Sequence, residues 1–345
     1  MNLGLVIGYW NNAGPPGDAV EQIQTAERLG FDSMWTAEAY GSDAFTPLAW
    51  WGSATTTIRL GTGITQMSAR TPAATAMTAI TLDHLSGGRL ILGLGASGPQ
   101  VVEGWYGQPY ARPLARTREY IEVLRRIFRR EEVEFEGEFY KMPLTAEHGG
   151  TGFGKPLKSI VKPLREDIPI HLGAEGPKNV ALAAEIADGW LPMFFSPKSD
   201  QFYRDALAEG FGREGARHTE DDFEVSCVVP TIVGDDVEAC ADLMRPMYAL
   251  YIGGMGARDK NFHFDVFSRL GYEGACHDIQ DLYLAGRKAE AIAKVPTALV
   301  EDVALIGPVE KVREELQVWR DTCITTMLIS GPPFLLEQVA DIVRG

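Results

Sequence analysis

Gly93-Leu94-Gly95-Ala96-Ser97-Gly98 spells G-x-G-x-x-G at the end of the apolar run Arg89–Gly95, and the reading of this stretch decides the fold. In a dinucleotide-binding βαβ unit the pattern lies near the N-terminus and opens a helix at once, so that the helix end meets a pyrophosphate. Here Pro99, Gly104, Gly107, Pro109 and Pro113 follow, which predicts a long loop before the next helix. The glycines are better read as residues that let the backbone approach a ligand at a strand end.

Working outward, the chain upstream alternates. Leu3–Gly8 is a continuous apolar run, a buried strand. Asp18–Leu29 has apolar positions at helical spacing and stops at Gly30. Ser33–Ala37 and Ile58–Gly63 read as strands, and Thr75–Leu85 as a helix closed by Ser86-Gly87-Gly88. Strands that are apolar throughout, alternating with helices, point to a parallel sheet covered on its faces.

Downstream, Pro113 opens a helix to about Arg130 with a buried stripe of Leu114, Thr117, Ile121, Leu124 and Phe128. Glu131–Met142 alternates around Glu136-Gly137, a hairpin signal, and Thr145–Asp167 has little periodicity. The alternation resumes with strand Ile168–Leu172, helix Lys178–Ala187, strands Gly189–Phe194 and Phe223–Val233, and a helix from Asp236. Met255–Ile279 breaks it. Strand Val303–Ile306, a helix from Pro308, strand Thr325–Ser330 and helix Phe334–Val343 close the chain. About eight parallel strands is the barrel number. The expected class is α/β, a (β/α)8 TIM barrel with insertions after the fourth strand and in the C-terminal third; an open doubly wound sheet is the alternative. One domain over residues 1–345 is expected, with insertions near 98–115, 131–167 and 255–300.

Composition narrows the function classes. The 345 residues carry 32 Lys+Arg against 47 Asp+Glu, a net charge of −15. Nothing in that balance neutralises a nucleic-acid backbone or an anionic membrane surface. No stretch approaches about 18 apolar residues, and the N-terminus lacks a basic leader region, so a cytoplasmic protein is expected. Cys227, Cys240, Cys276 and Cys323 are too widely spaced for a disulfide framework or a zinc site. H-x-H and H-E-x-x-H are absent, which argues against a metal-dependent barrel hydrolase.

In a barrel of this kind the loops after the strands form the active-site mouth. They are Tyr9-Trp10-Asn11, Glu38-Ala39-Tyr40, Gly63-Ile64-Thr65-Gln66, Ala96-Ser97-Gly98, Gly173-Ala174-Glu175-Gly176 and Phe195-Ser196. Small and aromatic residues with few His or Asp favour a flat cofactor slot over a metal site. Glu38 either contacts a cofactor and moves a proton, or is a helix-capping or salt-bridging carboxylate. Trp10 and Phe195 read as pocket walls; Trp105, Tyr106 and Phe194 as ordinary core. His171, inside a strand, reads as a core histidine, and Arg116 and Arg118 as a solvated helix face. Tyr106–Arg112 and Thr145–Asp167 are expected to fold over the mouth and exclude water.

Gly87–Gly95, Glu103-Gly104-Trp105-Tyr106-Gly107 and Arg116–Tyr120 resemble the bacterial luciferase-like superfamily. Gly173-Ala174-Glu175-Gly176-Pro177, with Ile186–Trp190, is similar to its coenzyme F420-dependent branch, the methylene-tetrahydromethanopterin reductase-like enzymes. The resemblance covers nearly the whole chain and is weakest in Met255–Val300. It implies a TIM-barrel F420-dependent oxidoreductase that passes a hydride between deazaflavin C5 and a small organic substrate, and a homo-oligomer. Glu38 would be catalytic. Glu38, Gly63, Ile64, Thr65, Ala96, Ser97, Gly98, Gly173, Ala174, Glu175, Gly176 and Pro177 would hold the cofactor, and no metal is expected. An FMN-dependent luciferase-like monooxygenase and a non-catalytic flavin-binding barrel are the alternatives. Leu60–Ile64 resembles the branch's strand-3 bulge, which implies a non-proline cis peptide at Gly63–Ile64 behind the middle of the ring. In alcohol-oxidising members a His follows the acid and a Glu lies in the strand-4 loop. Ala39 and Gly98 stand there, which argues against that acid–base pair and against an alcohol or sugar-phosphate substrate.

Overall fold

Eight parallel strands close on themselves in the computed structural model, which describes residues 1–10, 14–256, 258 and 260–345. Asn11, expected at the mouth, lies outside the described residues. The barrel strands are β1 (Asn2–Ile7), β2 (Ser33–Thr36), β3 (Arg59–Thr62), β4 (Leu90–Gly95), β5 (Ile170–Gly173), β6 (Gly189–Leu191), β7 (Glu224–Val228) and β8 (Thr326–Ile329). Each pairs in parallel with the next, and β8 pairs back to β1, with Leu3 opposite Met327. After Thr62 the third strand is interrupted and resumes at Thr65–Gln66, opposite Leu94 and Gly95. The Gly63–Ile64 peptide in the interruption is cis, as the resemblance implied.

The strands are apolar throughout because both of their faces are covered. Side chains alternate: Leu3, Leu5 and Ile7 on β1, and Leu90, Leu92 and Leu94 on β4, pack outward into the main core under the helices. Inward, Trp35, Ile91, Leu191 and Leu328 form a separate small cluster. Trp35 takes so much of the interior that a Cβ at Gly61 would lie 2.3 Å from its ring. A Cβ at Gly189 would likewise meet the His171 ring at 2.6 Å.

The end of the barrel where the strands start is closed by charge. Arg59 bridges Asp32 at 2.5 Å and Glu224 at 2.8 Å. His171 lies just inside, 4.0 Å from Glu224, fully buried, and neither ring nitrogen has a partner among the described residues. Burial in this unpartnered setting lowers its pKa to about 4, against the pull of Glu224.

The helices are α1 (Ala19–Arg28), α2 (Phe45–Gly52), α3 (Pro72–Ser86), α4 (Pro99–Gly104), α5 (Pro113–Phe128), α6 (Pro177–Ile186), α7 (Asp200–Phe211), α8 (Val237–Gly253), α9 (Phe262–Phe267), α10 (Glu273–Leu284), α11 (Lys288–Ala293), α12 (Thr297–Val303), α13 (Val309–Arg320) and α14 (Pro333–Arg344). Among the described residues, no helix is long and apolar enough to cross a membrane.

Four expectations are corrected. The run Phe223–Val233 is two strands, because Pro230 has no N–H to donate; Thr231–Val233 leaves the barrel and pairs with Leu305–Gly307. The strand expected at Val303–Ile306 is therefore that off-barrel partner. Between these two strands, α8–α12 build a second core around Tyr248, Ile252, Phe267 and Leu299, so the C-terminal insertion is longer than 255–300. After Gly98 the chain forms the six-residue helix α4 directly, with no long loop first.

The fourth correction concerns Thr145–Asp167, which does not cover the mouth. Because β5 runs parallel to β4, the chain must return to the far end of the barrel before Ile170. The hairpin of Phe135–Glu136 with Lys141–Met142 packs back on α5, where the Glu119 carboxylate accepts the backbone N–H groups of Glu138, Phe139 and Tyr140. The segment then runs down the outside: the Lys162 carbonyl meets His84, and Arg165 pairs with Asp83 and donates to the Leu90 carbonyl.

The depressed pKa of His171 sets a pH dependence. The folded state prefers the neutral ring, so its contribution is full above the unfolded value near 6.5 and is lost as pH falls toward 4. The wild type is expected to lose about 2–3 kcal/mol more than His171→Leu between pH 7.5 and 4.5, measured by urea unfolding at each pH. Parallel curves for the two proteins would refute this.

Candidate functional site

The strand C-terminal ends carry a shallow apolar floor. Ile64 leaves the cis peptide with its side chain pressed against two residues that have none: a Cβ at Gly95 would lie 2.7 Å from Ile64 Cδ1, and one at Gly173 would lie 3.1 Å from Cγ2. Ile64, Val6 and Val228 are partly exposed and rest on the inner cluster of Trp35, Ile91, Leu191 and Leu328. Ala96, Ser97 and Gly98 edge this floor after β4. Ser97 has φ +58°, a left-handed conformation that a serine adopts only where its surroundings impose it. Thr65 and Ala174 are buried, and the Ala174 carbonyl accepts from Trp190 Nε1 at 2.8 Å. Gly176 and Pro177 start α6, with the Gly176 carbonyl accepting its first turn.

Glu38 forms one wall. It is 5% exposed, and Arg70 Nη1 donates to both of its oxygens, at 2.8 and 2.9 Å. Arg70 lies over the Phe45 ring, 5.2 Å from its centroid. The Tyr106 hydroxyl reaches to 3.4 Å from Glu38 Oε1 and from the Ala39 carbonyl. Desolvation, and then the nearby Glu38 charge, push its pKa up. Of the two readings of Glu38, this geometry is that of the salt-bridging carboxylate, placed at the mouth.

The opposite wall brings the barrel and the insertion together. Glu175, after β5, lies 2.8 Å from Nδ1 of His263 on α9. The contact is close but out of line for a hydrogen bond, so His263 Nδ1 and Glu175 Oε2 have no aligned partner among the described residues. Phe194 and Tyr251 hold the His263 ring edge to face, at 5.6 and 4.8 Å. Tyr9 leaves half its surface exposed, yet its hydroxyl is desolvated against Tyr251, and burial raises the pKa of both phenols. Tyr40 reaches Met255 Sδ at 4.0 Å, so the insertion spans to the second strand's loop.

Several aromatic assignments change. Phe195 is not a pocket wall; it is 1% exposed, among Trp190, Tyr203 and Trp319 in the outer core. Phe194 points the other way, into the insertion's core, with φ +56°. Trp10 leans on Trp51, and Trp105 on Tyr40. Tyr106, read as core, stands at the site, and so of the two segments expected to cover the mouth only Tyr106–Arg112 reaches it. Arg118 faces away, toward Glu185, while Arg116 donates to the Tyr140 hydroxyl and the Pro109 carbonyl. Arg70 was legible in principle, since it follows the third strand and precedes Thr71-Pro72, the start of α3. His263 has no local signal beyond Asn261, which caps α9.

The residues present suit a flat ring. The floor is apolar and partly open, and Gln66 Oε1 and Glu175 Oε2 are buried acceptors without partners among the described residues. Among the described residues, no group of three or more His, Cys, Asp or Glu is placed to hold a metal ion. A hollow of about 290 Å³ lies elsewhere, outside the barrel between α5, α6 and α7, where Arg118 and Arg213 are paired with Glu185. A small hollow beside the mouth is lined by Met67, Ala96 and Tyr110, and Lys260 of the insertion lies over the Tyr110 ring.

Residues 1–326 match the luciferase-like monooxygenase family. The chain is 53% identical over 343 residues to a Mycobacterium tuberculosis protein provisionally named a coenzyme F420-dependent oxidoreductase, covering 99% of this chain and 98% of that one. It is 31% identical over 233 residues to the 5,10-methylenetetrahydromethanopterin reductase of Archaeoglobus fulgidus, covering 67% and 65%. Its fold superposes on the coenzyme F420-dependent tetrahydromethanopterin reductase of Methanopyrus kandleri with a TM-score of 0.80 at 24% identity, covering 99% and 97%.

Removing one partner of a buried ion pair strands the other charge. Arg70→Met is expected to cost about 3 kcal/mol of stability at pH 7. Adding Glu38→Gln to it should recover more than half of that loss, read by urea unfolding of both single variants and the pair. A double variant no more stable than Arg70→Met would show that Glu38 is not the stranded group.

Proposed function

The chain belongs to the luciferase-like monooxygenase family, and from that premise we propose that it is a coenzyme F420-dependent oxidoreductase that moves a hydride between deazaflavin C5 and a small organic substrate. The observation that carries this reading is the floor made by Ile64 between Gly95 and Gly173, an apolar seat bounded by strand-end backbone. When bound, the deazaflavin supplies the hydride donor or acceptor, so the protein need supply neither nucleophile nor metal.

The chain's own residues then have separate tasks. Ile64, Val6 and Val228 seat the ring. Strand-end backbone at Gly63, Ala96–Gly98 and Gly173–Gly176 offers N–H and C=O groups to its polar edge. The Glu38–Arg70 pair is a fixed polar wall whose charges cancel locally, and Gln66 and Glu175 offer spare acceptors. Tyr106 on one side and the insertion on the other keep water from the reacting carbon, which protects a reduced cofactor.

We further propose a homo-oligomer. Trp50 on α2 and Met77 and Leu85 on the neighbouring α3 are 76%, 65% and 77% exposed, large apolar side chains that a second copy would cover. Light scattering is expected to show a dimer or larger, and Trp50→Glu with Met77→Glu should shift it to monomer; a monomeric wild type would contradict this.

Titration with F420, followed by its fluorescence, should give saturable binding. Gly95→Val pushes a side chain into Ile64 and is expected to weaken that binding at least about tenfold without unfolding the barrel. Tight FMN binding with oxygen consumption would point to a monooxygenase, and binding of neither cofactor to a non-catalytic barrel.

A further inference from the structure

The mouth contains one imidazole, and the mechanism above leaves it unused. The six histidines of the chain are widely dispersed. His84 and His218 lie toward the end where the strands start, His171 is sealed inside, His148 sits by the hairpin, and His277 packs on Phe264 within the insertion. Only His263 is set against a strand-end residue of the mouth, Glu175. Glu175 is two residues beyond Gly173, which touches the Ile64 floor, so at most about 7 Å of chain separates it from the seat.

The environment of this ring is built. Phe194 and Tyr251 clamp it edge to face, and Glu175 lies against Nδ1. Nδ1 is fully buried. Nε2 has no hydrogen-bond partner among the described residues and belongs to a side chain that keeps 19% of its surface exposed. A carboxylate 2.8 Å from one nitrogen supports the imidazole's cation by charge, even out of line for a hydrogen bond, while the two aromatic rings fix the plane, which leaves the other nitrogen to exchange a proton. Of the other titratable groups at the mouth, Glu38 is locked to Arg70, Tyr106 is kept protonated by desolvation and the Glu38 charge, and Tyr9 and Tyr251 by burial.

We propose that His263 Nε2 is the catalytic proton donor and acceptor of this site, with Glu175 as its positioning residue, and that the substrate is a carbonyl compound or the alcohol formed from it; Ala39 and Gly98 argue against that class only while the acid–base group must come from their two loops, and here the insertion supplies it. This rests on the hydride-transfer reading above. In the reducing direction the substrate carbon gains a hydride with its electron pair from C5, the π pair of the C=O bond moves onto oxygen, and the oxygen takes the proton from Nε2. The cofactor is oxidised by two electrons, the product is an alcohol, and the neutral imidazole regains its proton from solvent. The oxidising direction is the exact reverse. The need for a proton selects the class: a carbonyl that takes a hydride becomes an alkoxide, whereas an iminium carbon becomes neutral and needs no acid.

The test uses the wild type, His263→Gln and Glu175→Gln. F420 affinity, by fluorescence, is expected to agree within about threefold between the wild type and His263→Gln, which also shows that this variant folds; Glu175→Gln, whose residue stands at the polar edge of the seat, is checked for folding by circular dichroism and assayed at saturating F420. The enzyme loaded with reduced F420 is then offered a panel of aliphatic and aromatic aldehydes and ketones. The wild type should oxidise the cofactor with at least one, and His263→Gln should lower kcat by about 100-fold or more and erase one limb of its pH profile. Glu175→Gln should keep that limb but move it by about half a unit or more, since Glu175, Tyr251 and, behind it, Tyr9 are the titratable groups facing the ring among the described residues. The limb shift carries the test alone should His263→Gln not fold. Failure of the wild type to bind F420 overturns the cofactor reading. F420 binding with no turnover of any carbonyl, or His263→Gln within threefold of wild type, overturns this one.

Discussion

A closed eight-strand barrel must fill its own interior from one face of each strand, and here two rings do most of that filling. Trp35 and His171 occupy the space that side chains at Gly61 and Gly189 would need. The lining therefore becomes glycine where the rings lie and aliphatic above them, and the barrel is solid up to Ile64, Val6 and Val228. A site on top of such a packed column is shallow and flat. The same packing explains why the G-x-G-x-x-G stretch exists. A Cβ at Gly93 would lie 1.7 Å from the Thr62 carbonyl, and one at Gly95 would displace Ile64, so these glycines answer to neighbouring strands rather than to a pyrophosphate.

Charge is arranged in layers along the barrel axis. Asp32, Arg59 and Glu224 close the end where the strands start, and Glu38 with Arg70 stands at the other. Each of these three carboxylates has an arginine, which a charge in a low-dielectric setting needs as a partner. Outside the barrel, Asp188 is bridged by Arg125 and Arg217; Arg125, with the Ile170 backbone N–H and His218, keeps its pKa at about 2 despite burial. The chain's excess of acid is thus surface charge. It leaves the mouth's own acid–base capacity to a residue from the insertion.

The fold was legible because its signal is local and repeated. Apolar strand runs, capping glycines and helix-opening prolines mark each unit; the G-x-G-x-x-G stretch is set aside by its place after the fourth strand rather than the first, not by the long loop expected there, since α4 opens at Pro99. Errors arose where one local pattern serves two topologies. Phe223–Val233 looks like one strand until Pro230 removes a donor, and Leu305–Gly307 looks like a barrel strand although it pairs off the barrel. The irregular 145–167 segment suggested a lid, yet the parallel direction of β5 requires it to run down the outside.

The candidate site was legible in part. By itself the sequence determined the barrel, the family motifs, the strand-end positions of Glu38 and of Gly173–Pro177, and, through resemblance, the cis bond at Gly63–Ile64. Residues one step past a strand lie at the mouth whatever else the chain does. Tertiary structure alone decided what each of those residues meets: Arg70 on Glu38, Tyr106 over both, Phe195 turned away into the core, and His263 brought from 88 positions away to Glu175. Periodicity encodes which face of an element is buried, because that is a property of neighbours in sequence. Which side chains meet across a mouth depends on where separate loops end in space, and no local pattern records that distance.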